Sequence, residues 1–111
     1  MTEVSGTLKG VPFHLADHID YADGAVVSKI LLKKDIGNIT LFAFDADQGL
    51  SEHTAPFDAV VQVLDGKAEI AIGGKQHVVD TGEMLIMPAN VPHALHAPVR
   101  FKMLLVMIRG E

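Results

Sequence analysis

The sequence predicts a small all-β sandwich or barrel. Three observations carry this. Eight short apolar runs are separated by Gly, Pro and Asp turns. After residue 25 no long window repeats with the 3.6-residue period of a helix. Two histidines, His53 and His93, stand where a turn hands over to a strand, the first after Gly49 and the second after Pro88 and Pro92.

Residues 1–24 are mixed, broken by Gly10, Pro12 and Gly24, with a short helical turn expected around residues 15–19. Residues 25–32 read as the first strand, followed by a turn over 33–38 containing Gly37. Residues 39–44 form the second strand, closed by 45–49, and residues 59–64 the third, ended by the turn dipeptide Asp65-Gly66. Strands follow over 67–72, ended by Gly73-Gly74, and over 75–79, ended by Asp80-Thr81-Gly82. Residues 84–87, 93–97 and 101–108 complete the set. Gly82 can take the positive φ of a hairpin end, while Pro88 and Pro92 fix φ and remove two donors, so no strand runs through them.

The totals bound the function. A chain of 111 residues fits one domain, and 49% hydrophobic residues argue against disorder. With no cysteine, disulfides, Cys-based zinc sites and thiol catalysis are excluded. A net charge of −5, with Lys33-Lys34 as the only basic pair and no Trp, argues against nucleic-acid binding. The apolar runs are far short of a membrane span. Residues 1–6 lack the basic start and apolar run of a secretory leader, so a cytoplasmic location is expected. The serines carry no glycine elbow, and Gly73-Gly74 is a hairpin turn rather than a phosphate loop.

From about residue 39 to 108 the chain resembles the cupin superfamily, small jelly-roll barrels marked by two motifs. The second motif runs Gly, five residues, Pro, one residue, Gly, two residues, His, three residues, Asn. Gly82, Pro88 and His93 match at this spacing; Asn90 replaces the inner Gly and Ala97 the final Asn. Asn tolerates positive φ better than other side chains, so the turn chemistry is kept. The first motif, anchored on Gly66, places its first His at His53 and its second His and its Glu at Ala55 and Ala59, with Gly49 one residue closer than usual.

The resemblance implies a double-stranded β-helix, a jelly-roll cupin barrel with 1–24 as an N-terminal extension and 39–108 as its conserved core, of the small cupin 2 type with a degenerate first motif. It implies a pocket of His53, His93, Ala55, Ala59, Asp58, Met103 and Leu105. Of the family's metal ligands only His53 and His93 carry over, so a divalent ion (Zn, Ni, Fe or Mn) is expected to bind weakly. Imidazole suits such ions, but catalytic sites usually supply three protein ligands. Asp58 and Glu52, beside the vacated Glu position and beside His53, are the substitutes nearest in sequence. His96 should face away by strand alternation, His77, His14 and His18 read as surface or packing residues, and the methionines read as core fillers. Met103, Leu105 and Met107, with Phe101, alternate along one face of the last strand and bound an apolar pocket.

The expected function is small-molecule binding in the barrel, the alternative a metal-dependent enzyme of dioxygenase or isomerase type. A homodimer is expected, because a jelly roll leaves sheet edges. The apolar residues Val11, Phe13, Leu15 and Ile19 also need a surface, either a partner's sheet or their own barrel.

Overall fold

The computed structural model describes residues 8–109. The expectation drawn from residues 1–6 lies outside them. Nine strands follow a 3-10 turn at Leu15–His18: β1 (Val26–Lys34), β2 (Gly37–Phe44), β3 (Gly49–His53), β4 (Ala59–Asp65), β5 (Lys67–Ile72), β6 (Lys75–Asp80), β7 (Met84–Met87), β8 (His93–His96) and β9 (Phe101–Ile108). A five-stranded sheet in the order β1-β2-β9-β4-β7 faces a four-stranded one in the order β3-β8-β5-β6, and every pairing is antiparallel. This is the jelly-roll barrel. No helix of the described residues is long and apolar enough to cross a membrane.

All eight expected runs are strands. β1 and β2 run two residues further into their shared turn, so that Lys34 pairs with Gly37. β3 is additional. Its sequence, Gly-Leu-Ser-Glu-His, offers one apolar side chain, and pairing with β8 rather than its own pattern makes it a strand.

Side chains alternate across each strand, and one set fills the barrel. On β4 the buried set is Ala59, Val61 and Val63; on β9 it is Phe101, Met103 and Leu105. Phe44 and Phe101 are cross-strand partners, fully buried and stacked with ring centroids 4.4 Å apart. Truncating either to Ala would cost about 3–5 kcal/mol. The turn after Asp65 holds Gly66 at φ +74, with the Arg100 carbonyl where a Cβ would stand. In the turn between β7 and β8 Asn90 takes φ +64.

The N-terminal segment crosses the outer face of the five-stranded sheet. There β2 turns Leu41 and Ala43 outward, and with Leu31 and Ile19 they form a second buried cluster, against which Phe13, Leu15 and Tyr21 pack. Polar latches hold the strap. Lys102 Nζ donates to the Ala16 carbonyl at 2.6 Å and Lys29 Nζ to the His18 carbonyl at 3.0 Å. Arg100 spans Asp23 and Asp45 at 2.8 and 2.7 Å, and the Tyr21 hydroxyl donates to Asp65. Of the two surfaces expected for this segment, its own barrel receives Phe13, Leu15 and Ile19, because outward Leu41 and Ala43 provide an apolar surface within reach of the short strap, while Val11 stays 53% exposed.

Candidate functional site

The site lies at one end of the barrel interior, between β3, β8 and the inner face of the larger sheet. His93 opens β8, and strand alternation turns it inward with Leu95 and His96 outward. His53 closes β3. Between Leu50 and His53 the register with β8 slips, so two residues of β3 oppose one of β8. A bulge of this kind re-aims the side chain beyond it. Here it makes His53 the direct partner of His93.

The two rings meet edge to face, centroids 4.3 Å apart, with Nε2 facing Nε2 at 3.1 Å. Each Nδ1 is committed elsewhere. His53 Nδ1 lies 2.9 Å from the Ser51 carbonyl and His93 Nδ1 3.2 Å from the Val91 carbonyl. A carbonyl oxygen only accepts, so each Nδ1 carries the proton and donates. In the neutral pair both Nε2 lone pairs then point at one another. Such an arrangement suits a hydrogen-bond donor or a Lewis acid between the rings. It also fits a metal: two nitrogens at 2.0–2.1 Å from one ion lie about 2.9–3.4 Å apart for angles between square and tetrahedral.

Behind the pair is a cavity of about 60 Å³, walled by Ala55, Ala59, Met103 and Leu105 and also by Leu50, Phe57, Met87, Leu95 and Met107. The two histidines are the only polar residues of the wall. Leu50, Phe57 and Met87 escape the sequence reading. Leu50 sits on the strand that pattern does not reveal, Phe57 in the irregular segment before β4, and Met87 reads as a generic core residue. Met87 and Met107 are the two cross-strand neighbours of Ala59.

Asp58 is corrected as a pocket residue and as a substitute ligand. Ala59 points inward at the start of β4, so Asp58 points out, and its Oδ1 accepts the Ala89 amide at 2.8 Å, pinning the β7–β8 turn. Ala55 contributes from its backbone as well, its carbonyl accepting the Asn90 amide at 2.7 Å. Glu52 is exposed, and no group of three or more His, Cys, Asp or Glu side chains among the described residues is arranged to hold a metal ion. His96 is held outside the barrel by Glu69, Nδ1 to Oε1 at 2.8 Å. His77 is half-buried rather than on the surface, paired with core residue Ile70.

Comparison with known proteins agrees with this geometry. No curated protein matches the chain. Among solved structures, a conserved protein of unknown function, SPY1581 from Streptococcus pyogenes, superposes with a TM-score of 0.87 at 34% identity, over 92% of this chain and 90% of that one. A cupin 2 conserved barrel domain protein from Leptotrichia buccalis gives 0.84 at 40% identity, over 86% of this chain and 47% of that one, so this chain spans about half of its length. A cupin superfamily protein, DSY2733 from Desulfitobacterium hafniense, gives 0.86 at 28% identity, over 92% and 94%. The cupin domain model matches residues 40–108, the stretch that carries both histidine junctions, and the chain belongs to the cupin family, in its cupin 2 form.

Proposed function

We propose that this protein binds a small organic molecule in its barrel, with the His53–His93 pair as the polar anchor and as a weak site for a divalent metal ion. The observation that carries the reading is the convergence of two Nε2 atoms at 3.1 Å with both Nδ1 atoms facing carbonyls. Neutral imidazoles so held are acceptors. The group they take is a hydrogen-bond donor, such as a hydroxyl or amine, or a metal ion that a ligand atom then completes. The cavity behind them, about 60 Å³ and apolar, has room for about two water-sized groups. That favours a compact ligand with one polar end.

The donor set fits a metal only in part. The two nitrogens are spaced for one ion, but Ala55 and Ala59 stand where further ligands would be, so water or the ligand must fill the sphere. Thermal shift and calorimetry with Zn²⁺, Ni²⁺ and a panel of compact alcohols and amines test the reading. Stabilisation that disappears in both His53→Ala and His93→Ala is expected. Stabilisation that survives in both variants, or none with any of these probes, overturns it.

A further inference from the structure

We infer that the metal this pocket is built to take is a soft monovalent ion, Cu(I), held by His53 and His93 with thioether sulfur from Met87 or Met107. The inference rests on the proposed role of the histidine pair as a metal site and specifies its chemistry.

The register places the two methionines. Ala59 on β4 has Met87 of β7 as its partner on one side and Met107 of β9 on the other. All three line the cavity that the histidines close. The methyl of Ala59 occupies little of the row, and the two long, unbranched side chains beside it, Met87 buried in the core and Met107 packed against it, border that space. Directly opposed residues in an antiparallel pair hold their Cβ atoms about 4.5–5.5 Å apart, so both methionines flank Ala59 closely. Met103 stands on the same wall.

The charge argument points the same way. The carboxylates nearest in sequence are accounted for elsewhere: Asp58 holds the Ala89 amide and Glu52 is exposed. A divalent ion here would meet two imidazole nitrogens and apolar wall, with no carboxylate among the described residues placed to offset its charge. The cost of desolvating an ion grows as the square of its charge, so a monovalent ion suffers about a quarter of that penalty. Hard ions want oxygen, whereas thioether ligands select Cu(I). Thus His₂ with one or two methionine sulfurs satisfies a monovalent ion where it leaves a divalent one short of donors.

The test is an anaerobic titration of the purified protein with Cu(I) buffered by a chromophoric Cu(I) chelator, run beside Zn²⁺, with X-ray absorption on the copper-loaded sample. One Cu(I) per chain is expected, with sulfur as well as nitrogen scattering around copper. Replacing both methionines in Met87→Leu/Met107→Leu, a nearly volume-conserving change, should weaken Cu(I) by about 10–100-fold, remove the sulfur signal and leave Zn²⁺ binding unchanged. Met84→Leu, at an exposed position, is the control and should change nothing. Cu(I) binding that needs the histidines but is indifferent to the methionine pair overturns the inference and leaves the histidine site standing. So does Zn²⁺ binding without Cu(I) binding. If neither ion binds, the metal reading of the histidine pair falls and this inference with it.

Discussion

His53 and His93 lie forty positions apart in the chain, yet they are register partners on adjacent antiparallel strands, and their Nε2 atoms meet at 3.1 Å. A bulge in β3 produces this meeting, and the carbonyls of Ser51 and Val91 fix the orientation of each ring. The first prediction concerns the positions beside the pair. Ala55 and Ala59 line the same cavity, and Ala59 is 4% exposed. Placing donors there with Ala55→His and Ala59→Glu should create a tight divalent site. Without metal, the buried carboxylate should destabilise the double variant by about 2–3 kcal/mol. Zn²⁺ or Ni²⁺ should restore the loss and raise Tm above that of the metal-loaded parent. Denaturation with and without metal checks this; a variant whose Tm ignores the ion would show that these positions do not share a coordination sphere with the histidines.

The two turns that carry the chain from one sheet to the other should respond to substitution differently. Gly66→Ala should destabilise by about 2–3 kcal/mol, because the new methyl meets the Arg100 carbonyl and φ is positive. Asn90→Gly should change stability by less than about 1 kcal/mol, whereas Asn90→Val should cost about 1–2 kcal/mol, since a β-branched side chain is strained at φ +64. Urea midpoints for the three variants decide the point. Equal effects of Gly and Val at position 90 would contradict the left-handed turn.

The strap over the outer face should loosen in acid. Arg100, and then the amides of Gly24 and Ala46, hold the Asp45 carboxyl down at about 2, below the usual 3.9. A carboxyl depressed in the folded state contributes stability that is fully present above its unfolded value. As pH falls from about 4 towards 2, the unfolded chain takes up the proton first and that contribution is lost. Asp45→Asn should therefore be less stable than the parent at pH 6, with the gap narrowing as pH falls through this window. A gap that stays constant from pH 6 to 2 would mean that Asp45 does not latch the strap. At the other extreme, burial and the Asp65 carboxylate push the Tyr21 phenol above its usual range, so its contribution should persist up to about pH 10 and fade beyond.

Most of the barrel was legible because turn chemistry and apolar runs are local signals. Asp65-Gly66, Gly73-Gly74 and Pro88–Pro92 cut the sequence where the strands end. β3 was not legible, since its strand character comes from pairing with β8 and four of its five residues are exposed. The same holds at the site. The spacing of Gly82, Pro88 and His93 marks one histidine locally, but the meeting of His53 with it depends on a bulge defined only between two strands. Asp58 looked available because it adjoins Ala59 in sequence, and alternation sends it outside. The Met87–Ala59–Met107 row depends on registers that no one strand encodes.

The last prediction is a homodimer through the uncovered half of the five-stranded sheet. The strap shields Leu41, Ala43 and Leu104 and packs on Ile39 as well, so a neighbouring row is covered near β2 and opens towards β7, where Ile86 is exposed. That row crosses every strand: Leu32 pairs with Ile39, Ile39 with Val106, Val106 with Val60, and Val60 with Ile86. It carries no charge, and Ile86 on β7 is 57% exposed, as is Ile108 on β9 at 58%. β7, at the sheet edge, has neither charge nor proline within Met84–Met87 to blunt its open side. A second copy placed about a two-fold axis would lay one such row on another and cover both edges with identical surfaces, the arrangement most homodimers adopt. Light scattering across a concentration series should give twice the 11.9 kDa chain mass. Placing charges in the row with Val60→Lys and Ile86→Lys should weaken association by at least about 30-fold, the effect of one interface hot spot, and yield folded monomer. Val78→Lys, an exposed apolar position on the opposite sheet, should leave the mass unchanged. A parent protein that stays at 11.9 kDa throughout would remove the dimer. A dimer that ignores the row but dissociates with Val78→Lys would move the interface to the other sheet.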